Sequence, residues 1–142
     1  MGEVSCIFCK IVRRQSPASY VYEDERVIAV LDIWPLNEGH TLVIPKRHYK
    51  TVYEVPDEEV AHLYKVVKKV ALAVKRAVGA EGISITQHNG KAAGQDVFHV
   101  HVHVIPRYEG QKLPKFEEIQ EASREKLDYV ANKIKPYIRH ES

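Results

Sequence analysis

Residues 98–106 read FHVHVHVIP, and this strict alternation constrains the fold more than any other part of the chain. Successive side chains of a β-strand point to opposite faces. The spacing therefore predicts a strand over His99–Ile105 with His99, His101 and His103 on one face and Val100, Val102 and Val104 on the other. The valines need an apolar layer. The histidines need hydrogen-bond partners, because a buried imidazole without one is costly and several charged together repel. Three readings stay open on these residues alone. One is a half-exposed strand that happens to be rich in histidine. Another is a multi-histidine metal site. The third is a catalytic site in which one ring attacks and its neighbours orient it and hold protons.

The rest of the chain supplies partners for such a strand. YVYE (20–23), a turn at Asp24-Glu25-Arg26 and VIAVLDI (27–33) read as two strands rich in β-branched residues. HTLVIP (40–45) is a further strand, entered through Asn37-Glu38-Gly39 and stopped by Pro45, and residues 83–86 form another short one. Between them, Val60, Leu63, Val67, Val70, Val74 and Ala77 recur at three- and four-residue spacing, which predicts a helix over 56–78. Acids at 57–59 suit its start, Lys75 and Arg76 its end, and Gly79 can close it. Phe116, Ile119, Leu127, Val130 and Ile134 outline a second amphipathic helix over 115–136, ending near Pro136. Strands joined by short turns, one long inserted helix and a C-terminal helix predict an antiparallel α+β domain.

A length of 142 residues argues for one domain, 1–142, with a short N-terminal segment, a core over 20–106 and the helical extension over 115–136. A formal net charge of +2, spread along the chain, gives no basic stripe of the kind a nucleic acid demands. No apolar run is long enough to span a membrane, and MGEVSCIF lacks the basic-then-apolar layout of a signal peptide, so a cytoplasmic protein is expected. There the two cysteines would stay thiols.

Two other features carry chemistry. Asn89–Gln95 is a loop with two glycines, placed to let backbone N–H groups approach an anion beside the histidine strand. Cys6 and Cys9 have the spacing of a redox pair, of two inert thiols, or of half a zinc site that histidines would complete. His62 and His140 read as solvent-facing.

With Gly94-Gln95 before it, HVHVHVI (99–105) resembles the histidine triad (HIT) superfamily of nucleotide hydrolases and transferases. CIFCKI (6–11), LDI (31–33) and GHTLVIPKRH (39–48) look like family signatures in the expected order, and the CxxC resembles the zinc-bearing prokaryotic branch. The resemblance implies an antiparallel sheet of about five strands with packed helices, doubled into a homodimer. It implies His101 as the nucleophile on the α-phosphorus of a purine nucleotide, supported catalytically by His103 and His40. It implies a nucleotide site of Asp32, taking the ribose hydroxyls, with His88, Asn89, Gln95, Asp96, Val97, His101 and His103. One structural zinc per chain would be held by Cys6, Cys9, His48 and His99. The implied substrate is a nucleoside phosphoramidate, an adenylate or a dinucleoside polyphosphate, cleaved through a nucleotidyl-histidine. The rival readings are a zinc-stabilised nucleotide-binding module with vestigial catalysis, and a nucleotidyltransferase or phosphorylase on dinucleoside polyphosphates. Two positions depart from the family pattern. His88 stands where relatives tend to carry an amide, and Asp96 where several carry Ser or Thr.

Overall fold

The computed structural model describes residues 6–138, so His140 and the first five residues lie outside it. Five strands, β1 (Tyr20–Glu23), β2 (Val27–Leu31), β3 (Thr41–Pro45), β4 (Gly82–Thr86) and β5 (Val102–Arg107), form one sheet in the order β1-β2-β3-β5-β4. All four pairings are antiparallel. Three helices flank them: α1 (Ile7–Val12), α2 (Asp57–Val78) and α3 (Arg124–Ile134).

Burial explains why β2 and β3 read as continuous apolar runs rather than alternating ones. Every residue of both strands is buried, because the sheet is covered on both faces at its centre. On one face Ala29, Val43, Val102 and Val104 meet Leu63, Val67, Val70 and Val74 of α2 and Leu127, Val130 and Ile134 of α3. On the other, Ile28, Val30, Leu42 and Ile44 meet Phe8 and Ile11 of α1. Helix α2 takes the span its periodicity predicts, with Asp57, Glu58 and Glu59 in its first turn and Gly79 closing it at φ 68°. That left-handed conformation is one glycine adopts without steric cost.

Four expectations need correction. The histidine strand does not begin at His99. Its ladder starts at Val102 and runs to Arg107, and Val100 N–H bonds to Tyr49 O rather than to a strand neighbour. The alternation survives outside the ladder, since Val100, Val102 and Val104 are all fully buried in the helix-side core. Pro106 can lie within β5 because the β3 pairing ends at Thr41–Val104, leaving no strand on that side to need its N–H. Strand β2 likewise ends at Leu31, and Asp32 turns out of the sheet with Oδ1 accepting from Trp34 N–H.

The C-terminal helix starts at Arg124, not near 115. Ser123 caps it by accepting from Lys126 N–H, while Phe116 is 88% exposed and lies in a one-turn 3-10 segment. The chain before the cap is held extended by Ala122 N–H donating to Ile33 O. His62 is not solvent-facing either. Its Nε2 lies 2.7 Å from Asp24 Oδ2, which also accepts from Tyr22 O–H, so it ties α2 to the β1–β2 turn. Helix α1 was not legible as a helix. Its start is capped by the Cys6 thiol, which accepts from Cys9 N–H. No helix among the described residues is long and apolar enough to cross a membrane.

Candidate functional site

The sheet face that carries α1 also carries the histidines. His103 pairs with Leu42 on β3 and Thr86 on β4, which places its ring beside the start of β3, where His40 enters. His40 Nε2 lies 3.0 Å from His103 Nδ1. The N–H of Leu36 donates to His40 Nδ1 at 3.0 Å, so that nitrogen is unprotonated and the ring's proton sits on Nε2. His40 therefore donates to His103 Nδ1, and the proton of a neutral His103 is fixed on its Nε2.

His101 is set the opposite way. Its Nδ1 lies 2.7 Å from His99 O, a carbonyl that can only accept. The proton is on Nδ1, and Nε2 keeps its lone pair. Asp96 Oδ1 stands 3.6 Å from this nitrogen and accepts from Val97 N–H. Phe8 of α1 packs edge-on against His101, with centroids 4.9 Å apart. Asp32 Oδ2 lies 3.5 Å from His40 Nε2.

Burial keeps these rings neutral. It pushes His40 down to about 3 and His103 to about 4, with neighbouring rings adding to both shifts, and it lowers His101 as well. The same burial raises the Asp32 carboxyl to about 6, against the pull of Trp34 N–H. The consequence for stability has a definite sign. Below pH 6.5 the unfolded chain takes up protons at His40 and His103 that the fold refuses, so their contribution is lost as pH falls towards 4. Asp32, held above its ordinary value, works in the opposite sense between about pH 4 and 6, but it is one carboxyl against several lowered rings. Urea melts are expected to show stability falling below pH 6.5. His40→Gln should make that slope shallower by about 1.4 kcal/mol per pH unit, the worth of one proton. An unchanged slope would mean that His40 is not buried neutral.

The second cluster lies at the other end of the histidine run. The donor atoms of Cys6, Cys9, His48 and His99 all fall within 4.8 Å of one another. Cys6 Sγ is 3.4 Å from His99 Nδ1, and Cys9 Sγ is 3.3 Å from His48 Nδ1 and 3.5 Å from His99 Nδ1. A tetrahedral ion with bonds of about 2.0–2.3 Å separates its donors by roughly 3.3–3.8 Å, so this spacing fits one. The tautomer fits too. His99 Nε2 donates to Pro45 O at 2.7 Å, which leaves Nδ1 unprotonated towards the thiols. Cys6 and Cys9 are not joined in a disulfide. The atoms of Asp32, His40 and His103 also lie within 4.8 Å. That set is a poor metal site, because the His40 nitrogen facing it carries a proton.

The loop over 89–95 offers an anion less than its two glycines promise. Gly90 and Gly94 do take positive φ, 94° and 95°, but they serve to fold the loop on itself. Gly90 N–H donates to Gln95 Oε1, while those of Ala93, Gly94 and Gln95 donate to carbonyls within the loop. Gln95 is buried, and its amide N–H groups donate to Lys50 O and Val97 O. Asn89 Oδ1 accepts from Val52 N–H and its Nδ2 donates to Gln87. Val97 packs against the α1-side core. Gln95 and Asn89 thereby tie the loop to residues 50–52. Asp96 and His88 stand beside the histidines; the His88 ring lies 6.1 Å from that of His103.

Sequence reasoning missed the atoms that fix the tautomers: Leu36 N–H, His99 O and Pro45 O. Backbone groups leave no mark on residue identity. Phe8 was within reach, since CIFCKI places Phe8 and Ile11 three apart on one helical face.

Comparison with known proteins places this geometry among relatives. The HIT domain family model matches residues 13–110. An uncharacterised HIT-like protein of Methanocaldococcus jannaschii is 50% identical over 92% of this chain and 98% of its own length. An adenylylsulfatase of Arabidopsis thaliana is 40% identical over 94% of this chain and 68% of its own. An adenosine 5'-monophosphoramidase of Schizosaccharomyces pombe is 44% identical over 73% and 72%. Among solved structures, a HIT-like protein from Bartonella henselae superposes with TM-score 0.87 at 41% identity, covering 94% of this chain and 96% of its own. A Zn-bound histidine triad family protein from Mycobacterium smegmatis gives 0.84 at 39% identity, covering 95% and 94%.

Proposed function

Because this chain belongs to the HIT family, we propose that it is a nucleotide hydrolase that attacks the α-phosphorus of a purine nucleotide through His101. The observation that carries the reading is the opposed tautomers of two adjacent rings. His101 presents an unprotonated Nε2, held so by His99 O, and His103 presents an N–H, held so by His40. A lone pair beside a proton donor is what attack on a phosphoryl group needs: one forms the bond, the other meets the charge that develops on oxygen. The His101 Nε2–P bond forms as the bond to the leaving group breaks. Water then attacks phosphorus, and His101 departs with its electron pair.

Candidate substrates are a nucleoside phosphoramidate, an acyl or sulfuryl adenylate and a dinucleoside polyphosphate. The two named activities among the relatives, on an adenylyl sulfate and on an adenosine phosphoramidate, support that class. Asp32 supports the ribose. Its carboxylate stands at the end of β2 on the His40 side of the site, with Oδ1 steadied by Trp34 N–H. Asp32→Asn is expected to weaken binding of AMP by about 1–3 kcal/mol and of 2'-deoxy-AMP by less, measured by calorimetry. Equal losses for both sugars would remove Asp32 from the ribose.

The Cys6, Cys9, His48 and His99 cluster is proposed to hold one zinc ion. Two thiolates and two imidazoles close the coordination shell, so the ion would be structural, and it would fix α1 to the catalytic strand. The zinc-bound relative supports the choice of metal.

A further inference from the structure

The leaving group of a phosphoramidate needs a proton as its bond to phosphorus breaks, and the rings described so far cannot deliver it. His101 keeps its proton on the nitrogen bonded to His99 O, away from the reacting centre. His103 and His40 are buried and neutral, and a neutral imidazole lends an N–H without giving the proton up. One further ring borders the site. His88 follows β4, two residues beyond the Thr86 that pairs with His103, and its ring meets that of His103 edge-on at 61° with centroids 6.1 Å apart. It is half-buried, and its ring makes no hydrogen bond among the described residues. Its Nδ1 stands 3.9 Å from where a Cβ on Gly94 would lie, so the loop lies alongside without occupying either nitrogen.

We propose that His88 is the catalytic acid that protonates the leaving group. The assignment rests on His101 being the nucleophile. In the first half-reaction the His101 Nε2 lone pair forms the N–P bond. The P–N bond to the amine breaks with its electrons passing to the amine nitrogen, which takes a proton from the His88 imidazolium. His88 is left neutral. In the second half it accepts a proton from the attacking water as the N–P bond to His101 breaks, and the cycle closes with no external acid or base.

Leaving-group dependence tests this role. Two substrates share the nucleotide and differ in what departs: adenosine 5'-phosphoramidate, whose amine needs a proton, and the p-nitrophenyl ester of AMP, whose phenolate does not. The readout is kcat/KM, which reports the first bond-breaking step. His88→Asn is expected to lose about 10²–10⁴-fold on the phosphoramidate, the range of general acid catalysis, and at least about thirty-fold less on the ester. His88→Gln gives the same comparison should the Asn variant fail to fold, and AMP binding to either confirms an intact site. Equal losses on both substrates, or no loss on either, would overturn the role of His88 while wild-type turnover leaves the His101 reading standing. A wild-type protein that cleaves neither of these would overturn the role of His88, and one that also leaves adenylyl sulfate and dinucleoside polyphosphates intact would overturn the His101 reading as well.

Discussion

Cys9→Ser is expected to lose bound zinc and a large part of the thermal stability together. Metal analysis of the wild-type protein should give about one zinc per chain, and the variant close to none. Cys9 is 4% exposed and its thiol reaches both His48 and His99, so its loss removes a central donor. Structural zinc contributes folding free energy directly, because the assembled site does not exist in the unfolded chain. A loss of about 4 kcal/mol would lower Tm by roughly 8–16 °C in a chain of this size. Helix α1 has only six residues and no stability of its own, so it should loosen first and expose Phe8 and the rings of His99 and His101. A wild-type protein that holds no zinc and melts unchanged in its presence would contradict the site.

His101→Ala is expected to lose at least about 10⁴-fold in kcat while AMP still binds, because a nucleophile's removal leaves only what positioning supplies. His103→Ala should cost about 10²–10³-fold, since that ring lends an N–H to the developing charge rather than a bond to phosphorus. The ordering matters more than either number. If the two variants lose equally, or His103→Ala loses more, the assignment of lone pair and proton to the two rings is wrong.

The alternation at 98–106 told which face each residue of the histidine run would take, and the valines do lie in the helix-side core. It did not tell where the strand begins. Alternation reports side-chain direction, whereas the ladder depends on a neighbour's backbone, and at Val100 that neighbour is Tyr49 rather than a strand. Helix α2 was legible to within one residue, Pro56 serving as its cap, because stripe, charges and closing glycine agree. Helix α3 was overextended for the opposite reason. Phe116 and Ile119 continue its spacing by coincidence, and the cap at Ser123 decides the start. In the site, the ring and thiol positions followed from resemblance to a family. The loop over 89–95 was misjudged in detail, because its glycines mark a tight fold but do not say which amides that fold consumes. His62 was misread because the carboxylate that receives it, Asp24, lies 38 residues away in sequence.

The proposed chemistry turns on whether a covalent bond forms between His101 and phosphorus. Mixing the wild-type protein with adenine-labelled adenosine 5'-phosphoramidate, quenching within milliseconds without acid and digesting under alkaline conditions isolates the peptide over 98–106. A phosphorus–nitrogen bond to imidazole survives alkali and breaks in acid. The expected result is that peptide carrying the label and the added mass of one adenylyl group, with acid releasing both and the His101→Ala protein showing neither. Label on another peptide, or rapid turnover with the 98–106 peptide unmodified at every time point, would contradict the nucleophile assignment.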